Sequence, residues 1–180
     1  MKISIKQLAS DVATLLGESL ASECQPEESP FPDLEERVRI LAPMVLSDLI
    51  MDTGTFLPPG WKEIKTDVQR GEDGIVTLPL PADYLKFVSV KMSDWKKPLT
   101  VYITPEDERA SPLSSKWEGV KGNRERPVAL LLEDRLELHS SSGALDFFRY
   151  MSRPKVEDGY LNVPEGLYER LVSVLKSDTL

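Results

Sequence analysis

The stretch VALLLEDRLELH, residues 128–139, contains the pattern that decides the fold. Two apolar runs flank Glu133-Asp134, and in the second run Leu136 and Leu138 alternate with polar residues. Alternation with a period of two is typical of a strand that buries one side of a sheet. The stretch therefore predicts a β-hairpin whose tip is Glu133-Asp134.

Similar runs precede and follow this hairpin, rich in Val, Ile, Leu, Phe and Tyr and separated by Gly, Asp, Ser or Pro; they cover residues 61–68, 75–80, 85–92, 97–103 and 144–151. Such close spacing favours an antiparallel sandwich or small barrel over a parallel sheet with crossover helices. We expect this β module to span residues 61–152, with a short helix beginning at Thr104-Pro105 and a long loop over residues 111–126. Trp61 and Trp95, at strand boundaries, are interpreted as lids on the core.

Helical periodicity marks the two ends of the chain, at residues 3–16, 33–52 and 164–177. Between the first two helices, residues 17–32 are rich in Ser, Glu and Pro, which is typical of a solvated linker. The sequence thus predicts an α+β fold, with N-terminal helices and a C-terminal helix packed with the β module. We divide the chain into an N-terminal helix with its acidic linker, residues 1–32, and a single domain, residues 33–180.

The helix over residues 33–52 has two unusual features. Asp33 and Glu36 have the spacing of a capping box, while Pro43 predicts a kink or break near residue 42. One side is apolar in the usual way, but a second side is apolar as well. We interpret that second side as deeply buried or as a contact with a neighbouring subunit; its residues are Ile40, Met44, Leu46 and Ile50.

Composition narrows the functional classes. Apolar residues make up 41% and charged residues 29%, values that favour a folded globular chain. The 30 acidic and 22 basic side chains give a net charge of -8, which argues against binding DNA by neutralising its phosphates. No run approaches the roughly 18 apolar residues of a membrane span, so we expect no membrane contact and synthesis in a cytoplasm.

The sequence offers little for catalysis. With one histidine and one cysteine, Cys24, it contains no recognisable zinc spacing, and the glycines near Gly119 fit no phosphate-binding fingerprint. Alternation in the hairpin predicts that His139 is a surface imidazole. We therefore expect no catalytic residue, metal or cofactor, although two distant carboxylates could still converge in the fold.

The loop between the predicted helix and hairpin is basic and carries an aromatic residue. We interpret it as a solvated loop or as a contact arm for an acidic neighbour or, less readily, a nucleic-acid backbone. The residues concerned are Lys116, Trp117, Lys121, Arg124 and Arg126.

Several local motifs carry a resemblance to a known family. They are Leu80-Pro81-Ala82-Asp83-Tyr84-Leu85, Trp95-Lys96-Lys97-Pro98-Leu99, Arg126-Pro127-Val128-Ala129-Leu130 with Leu136-Glu137-Leu138, Phe147-Phe148-Arg149-Tyr150 and Val163-Pro164-Glu165-Gly166-Leu167-Tyr168. This pattern resembles the head-to-tail connector or adaptor proteins of short-tailed bacteriophages, which include tail tubular protein A and ring proteins. The resemblance covers residues 33–178, and the first 32 residues have no counterpart in it.

The resemblance implies a structural virion protein at the head-tail junction. Such a protein would dock as a twelve-fold ring of identical copies beneath the portal, bridge it to other tail proteins and line the channel through which DNA is ejected. DNA would pass without sequence-specific binding, and the isolated chain could remain monomeric. Two other hypotheses stay open: a bacterial protein-binding module of the immunity or regulatory type, and a hydrolase that uses convergent carboxylates in a deep pocket.

Overall fold

The computed structural model describes residues 1–16, 33–53, 60–66, 68–71, 74–114, 125–139 and 142–179. The chain divides into two compact units. We call Met1–Gly60 with Arg153–Leu180 the helical unit, and Trp61–Ser152 the β unit. The strands are β1 (Lys2–Ser4), β2 (Lys62–Ile64), β3 (Gln69–Arg70), β4 (Val76–Pro79), β5 (Tyr84–Met92), β6 (Val128–Leu131), β7 (Arg135–His139), β8 (Leu145–Ser152), β9 (Val156–Glu157) and β10 (Tyr160–Asn162).

The helical unit is built on three helices, α1 (Ile5–Leu15), α2 (Leu34–Asp52) and α3 (Tyr168–Thr179), and a 3₁₀ turn at Glu165–Leu167 precedes α3. Each helix packs against the other two. The apolar stripes meet in a core that excludes water completely from at least two side chains of every helix, among them Leu8, Val12, Val38, Leu46, Leu171 and Leu175. Hydrophobic burial therefore links both ends of the chain in one unit.

Helix α2 is continuous through Pro43, so the predicted break does not occur. The side chain of Asp33 makes no capping hydrogen bond, so the predicted capping box is also wrong. A proline inside a helix costs about 3 kcal/mol, whereas burying one large aliphatic side chain contributes about 1.5 to 3 kcal/mol. Several residues on both sides of Pro43 are buried, and together they offset its cost: Val38, Ala42, Val45, Leu46 and Leu49.

A small sheet that the sequence did not reveal joins the N-terminus to the segment before α3. Strand β10 lies between β1 and β9, and all pairings are antiparallel. Asp158 and Gly159, which connect β9 to β10, have φ values of 52° and 78°. Two positive φ angles in a two-residue loop are typical of a type I′ hairpin turn, for which Asp-Gly is a favoured sequence. That dipeptide was the readable signal for the hairpin.

The β unit contains two antiparallel sheets, of order β2-β8-β5 and β3-β4-β7-β6. Their apolar side chains share one core, with Phe87 and Phe148 from the first sheet and Val76 and Leu138 from the second. The predicted α+β class with antiparallel strands is confirmed. Of the two predicted architectures, the described strands form a two-sheet sandwich and no closed barrel.

The predicted hairpin is present. In the register of β6 and β7, Val128 pairs with His139 and Leu131 with Leu136. The Leu132 amide donates to the Arg135 carbonyl at 2.9 Å, which closes the turn around Glu133-Asp134.

Two predictions in the β unit are wrong. Instead of a strand over residues 97–103, isolated bridges join Leu99 to Val90 in one sheet and Ile103 to Leu130 in the other. Instead of a helix after Thr104, the chain forms successive turns as far as a 3₁₀ turn at Ser111–Ser114. The carboxylate of Asp107 accepts from the Arg109 amide at 2.9 Å, a local bond that competes with helical hydrogen bonding.

The division into units differs from the domains expected from the sequence. The β unit has the bounds given to the β module, but α1, assigned to a separate segment over residues 1–32, belongs to the helical unit. The reason is long-range contact, because α1 packs on α2 and α3 and β1 pairs with β10. Such contacts leave no trace in local periodicity.

Candidate functional site

One side of α2 carries three large hydrophobic side chains that are exposed, and we call this side the exposed face of α2. We define this face by Ile40, Met44 and Met51, whose residues are 59%, 61% and 51% exposed. At about 100° per residue, the three positions fall within a sector of about 40° around the helix axis. They therefore form one stripe along the helix.

Two of the four residues predicted for a protein contact on α2 lie elsewhere. Leu46 and Ile50 are 0% and 2% exposed and belong to the core. Helical geometry places both at least about 80° away from every residue of the exposed face. Ile40 and Met44 are thus exposed, as a contact would require, whereas Leu46 and Ile50 are deeply buried, because the buried residues of α2 occupy a sector of about 160° that includes both.

Charged residues border the exposed face. Arg37 lies toward the N-terminal end, while Asp48 and Asp52 lie toward the C-terminal end, and all three are exposed. Arg39 instead pairs with Glu35 at 3.6 Å within the helix. Among the residues that the structure describes, Arg37, Asp48 and Asp52 make no ion pair, so their charges remain available to a partner.

Most of the predicted basic contact arm, namely Lys116, Trp117, Lys121 and Arg124, lies outside the described residues. Arg126, its last member, is exposed and lines a groove of about 340 Å³ together with Lys96, Lys97 and Glu125. Lys96 forms an ion pair with Glu125 in this groove. The groove contains three basic side chains and one acidic side chain, so an acidic ligand suits its charge.

Asp83, in the first connector-like motif, connects three strands of the β unit. Its carboxylate accepts from the Lys62 ammonium at 2.5 Å and from the Tyr150 hydroxyl at 2.9 Å. The hydrogen bond from Lys62 lowers the pKa of Asp83, and the bond from Tyr150 acts in the same direction. Burial, aided by the charge of Asp83, raises the pKa of Tyr150 to about 12. A tyrosine with a raised pKa is a poor general base, so this cluster is suited to holding the strands together.

The burial of three single residues can be compared with the predictions made for them. His139 is 4% exposed, so the prediction of a surface imidazole is wrong; its Nε2 lies 4.0 Å from the Glu137 carboxylate. Strand β7 is paired on both sides, by β4 and β6, so its backbone has no open edge. Trp95 is buried as predicted, whereas Trp61 is 45% exposed and does not cover the core.

An open depression of about 540 Å³ is lined by three acidic residues, Glu106, Glu133 and Asp134, and bears on the hydrolase hypothesis. A hydrogen bond with Thr104 lowers the pKa of Glu106. A general acid at neutral pH needs a raised carboxyl pKa, so this shift opposes that role for Glu106.

Comparison with known proteins adds no relative to these observations. No protein-family model matches the sequence, and no curated protein matches it. Within the described ranges, no group of three or more His, Cys, Asp and Glu side chains is placed to hold a metal ion. No described helix is both long and apolar enough to cross a bilayer.

Proposed function

We propose that this chain is a structural virion protein that joins the portal of a phage capsid to the tail and lines the DNA exit channel. The exposed face of α2 carries this proposal. Ile40, Met44 and Met51 place three large apolar side chains on one exposed stripe of a helix whose opposite side is already packed. Contiguous apolar surface of this kind is typical of protein contact sites.

In the proposed assembly, the exposed face of α2 is buried against a ring neighbour or the portal. Ring neighbours meet through two different surfaces of the same chain, since a heterologous contact is needed to close a ring. The groove beside Arg126 offers a second, chemically different surface. Two unlike surfaces on one chain are a necessary condition for a heterologous contact.

The connector-like motifs support the proposal through the fold they help to build. Asp83 of the first motif binds side chains from β2 and β8. Phe148 and Tyr150 of the aromatic motif are 0% and 3% exposed and fill the core between the two sheets. In this proposal the motifs maintain a rigid β unit, and two of them also supply Lys96, Lys97 and Arg126 of the groove.

Net charge supports the channel part of the proposal. A charge of -8 repels phosphate, so a lumen that keeps this sign would let DNA slide without being held. The electrostatic potential of the assembled channel tests this point. A strongly positive lumen would contradict it.

The deciding experiment mixes the purified full chain with the portal protein from the same genome, followed by light scattering and electron microscopy. The proposal predicts a complex of fixed stoichiometry with a ring of this chain on one end of the portal. A chain that never associates with that portal, at concentrations up to about 100 µM, would contradict it. A monomer without portal is compatible with the proposal, because the portal can template the ring.

The second candidate is a protein-binding module of the immunity or regulatory type. The basic groove at Lys97 and Arg126 favours it, since one acidic partner could bind there without any ring. The two hypotheses differ in stoichiometry. A one-to-one complex with a non-virion protein, formed equally well with or without portal, would favour the module.

A further inference from the structure

We infer that two copies of the free protein pair through the exposed face of α2, with the two helices antiparallel and related by a two-fold axis near Met44. Such a pair is a different assembly from the proposed ring and does not depend on it. It would cover Ile40, Met44 and Met51 before any other partner is present. The argument uses α2 alone.

The spacing of residues on this side of α2 is that of a coiled-coil seam. Ile40, Met44, Ser47 and Met51 follow one another at intervals of four, three and four residues. This alternation keeps side chains in line along a helix that packs against a second helix. The Ser47 hydroxyl donates to the Pro43 carbonyl of its own helix at 2.8 Å. Its small side chain thus leaves room in the seam for the methionines of a partner.

Charges beside the seam select the direction of pairing. Arg37 and Asp48 are eleven residues apart, which is about 16 Å along the helix and a net rotation of only about 20°. They therefore flank the seam on the same side. In a parallel pair the two-fold axis would run along the helices and place the charges of the two copies on opposite flanks of the seam, so Arg37 and Asp48 could not pair. In an antiparallel pair centred on Met44, Arg37 of one copy lies within about one turn of Asp48 and Asp52 of the other.

Two-fold symmetry makes these ion pairs reciprocal. Each copy supplies one exposed cation at one end of the face and two exposed carboxylates at the other, and none of the three is ion-paired within the part of the chain that the structure describes. The face is therefore complementary to itself in charge as well as in apolar character. A second copy of this chain is the occupant that fits it.

The contact is small, so the pair should be weak. Three apolar side chains per copy bury far less than the about 800 Å² per partner of a standard stable interface. We expect a dissociation constant on the order of 100 µM. A pair of this strength can dissociate when the same face meets a partner in a larger assembly. This dissociation is required if the same face is to join a heterologous ring, because the two-fold pair covers that face.

Sedimentation of the full chain over about 5 to 500 µM tests the inference. The wild type should shift from monomer toward dimer across this range. Arg37→Asp and Asp48→Arg should each weaken dimerisation at least 10-fold, because each places like charges together twice. Both changes suit the helix macrodipole, with an acid near the N-terminus and a base near the C-terminus, so α2 should remain folded.

Combining the two charge reversals gives the decisive measurements of dimerisation. An equimolar mixture of the Arg37→Asp and Asp48→Arg chains should dimerise as the wild type does, and the double variant should regain self-association. Lys65→Glu, an exposed charge reversal in the β unit and outside the groove, is the matched control and should leave dimerisation unchanged. A wild type that stays monomeric throughout, a dimer insensitive to both single reversals, or a mixture that fails to restore pairing would each overturn the inference.

Failure of this inference and failure of the proposed function can be told apart. A monomeric chain that still forms a ring on the portal overturns the pairing and leaves the connector proposal standing. A chain that dimerises by charge complementation but does not bind the portal supports the pairing and overturns the connector proposal.

Discussion

The Tyr150 hydroxyl donates a hydrogen bond of 2.9 Å to Oδ1 of Asp83, a residue 67 positions earlier in the chain. The other carboxylate oxygen accepts from Lys62 at 2.5 Å. Tyr150 and Lys62 are register partners in β8 and β2, and Asp83 immediately precedes β5. One carboxylate therefore fixes the ends of all three strands of this sheet.

Replacing Tyr150 by Phe should lower the free energy of unfolding of the β unit by about 1.5 to 3 kcal/mol at pH 7, because a hydrogen bond to a charged acceptor is lost. All three tryptophans of the chain lie between residues 61 and 152, so tryptophan fluorescence during urea unfolding follows this unit. Tyr102→Phe is the matched control. The Tyr102 ring packs edge-on against Phe87 at 5.4 Å, and Phe preserves that contact. Equal stability of Tyr150→Phe and wild type would contradict the role given to the hydroxyl.

Asp83→Asn should change how stability depends on pH. The folded-state pKa of Asp83 lies below its ordinary value of 3.8, with the Lys62 hydrogen bond as the main cause. A lowered folded pKa stabilises the protein above the unfolded-state value near pH 4, and this contribution disappears as the pH falls through the folded-state value. The loss caused by Asp83→Asn should therefore be largest near pH 7 and shrink below about pH 4.

Urea midpoints between pH 7 and pH 2.5 measure this dependence. Glu133→Gln, at the exposed hairpin tip, serves as the control and should change stability little at neutral pH. Asp107 stays ionisable in every chain, so its contribution to the pH dependence of stability is the same in all of them and cancels in the comparison. A difference between Asp83→Asn and wild type that stayed constant over this range would show that the carboxylate charge is unimportant.

Gly159→Ala should destabilise the helical unit by about 1 to 2 kcal/mol. Gly159 has a φ of 78° in the turn between β9 and β10, where a side chain strains the backbone. Gly166→Ala is the control, since its φ lies outside the positive region. An added Cβ would meet nothing within 4 Å at either position, so only the backbone distinguishes them. Thermal unfolding followed by circular dichroism should show a lower midpoint for Gly159→Ala alone. Equal losses would contradict the turn assignment.

Local sequence patterns predicted where helices and strands lie more reliably than which elements pack against each other. The hairpin around Glu133-Asp134 and the extent of α2 follow from periodicity, which local backbone geometry imposes. The pairing of β1 with β10 could not be predicted, because three-residue strands about 158 positions apart leave no periodic signal. For His139, alternation indicated a side of the strand but not the neighbours that bury it.

The same distinction applies to the candidate site. Apolar residues all around α2 indicated deep burial or a contact with a neighbouring subunit; Ile40 and Met44 lie on the exposed face, and Leu46 and Ile50 are buried. The sequence could not separate the two pairs, because it does not show which sectors of α2 are covered by α1 and α3. Met51 was missed, although its position seven residues after Met44 places it on the same stripe.

Binding of the portal by surface variants tests the central claim most directly, namely that the exposed face of α2 is an assembly surface. The measurement is the fraction of full chain that sediments with the portal protein from the same genome. Ile40→Glu with Met44→Glu should lower that fraction at least 10-fold, while Val101→Glu, which alters a 59% exposed residue of the β unit, should bind as the wild type does. Circular dichroism should show all three chains equally folded. Wild-type binding by the folded Ile40→Glu, Met44→Glu double variant would contradict the claim.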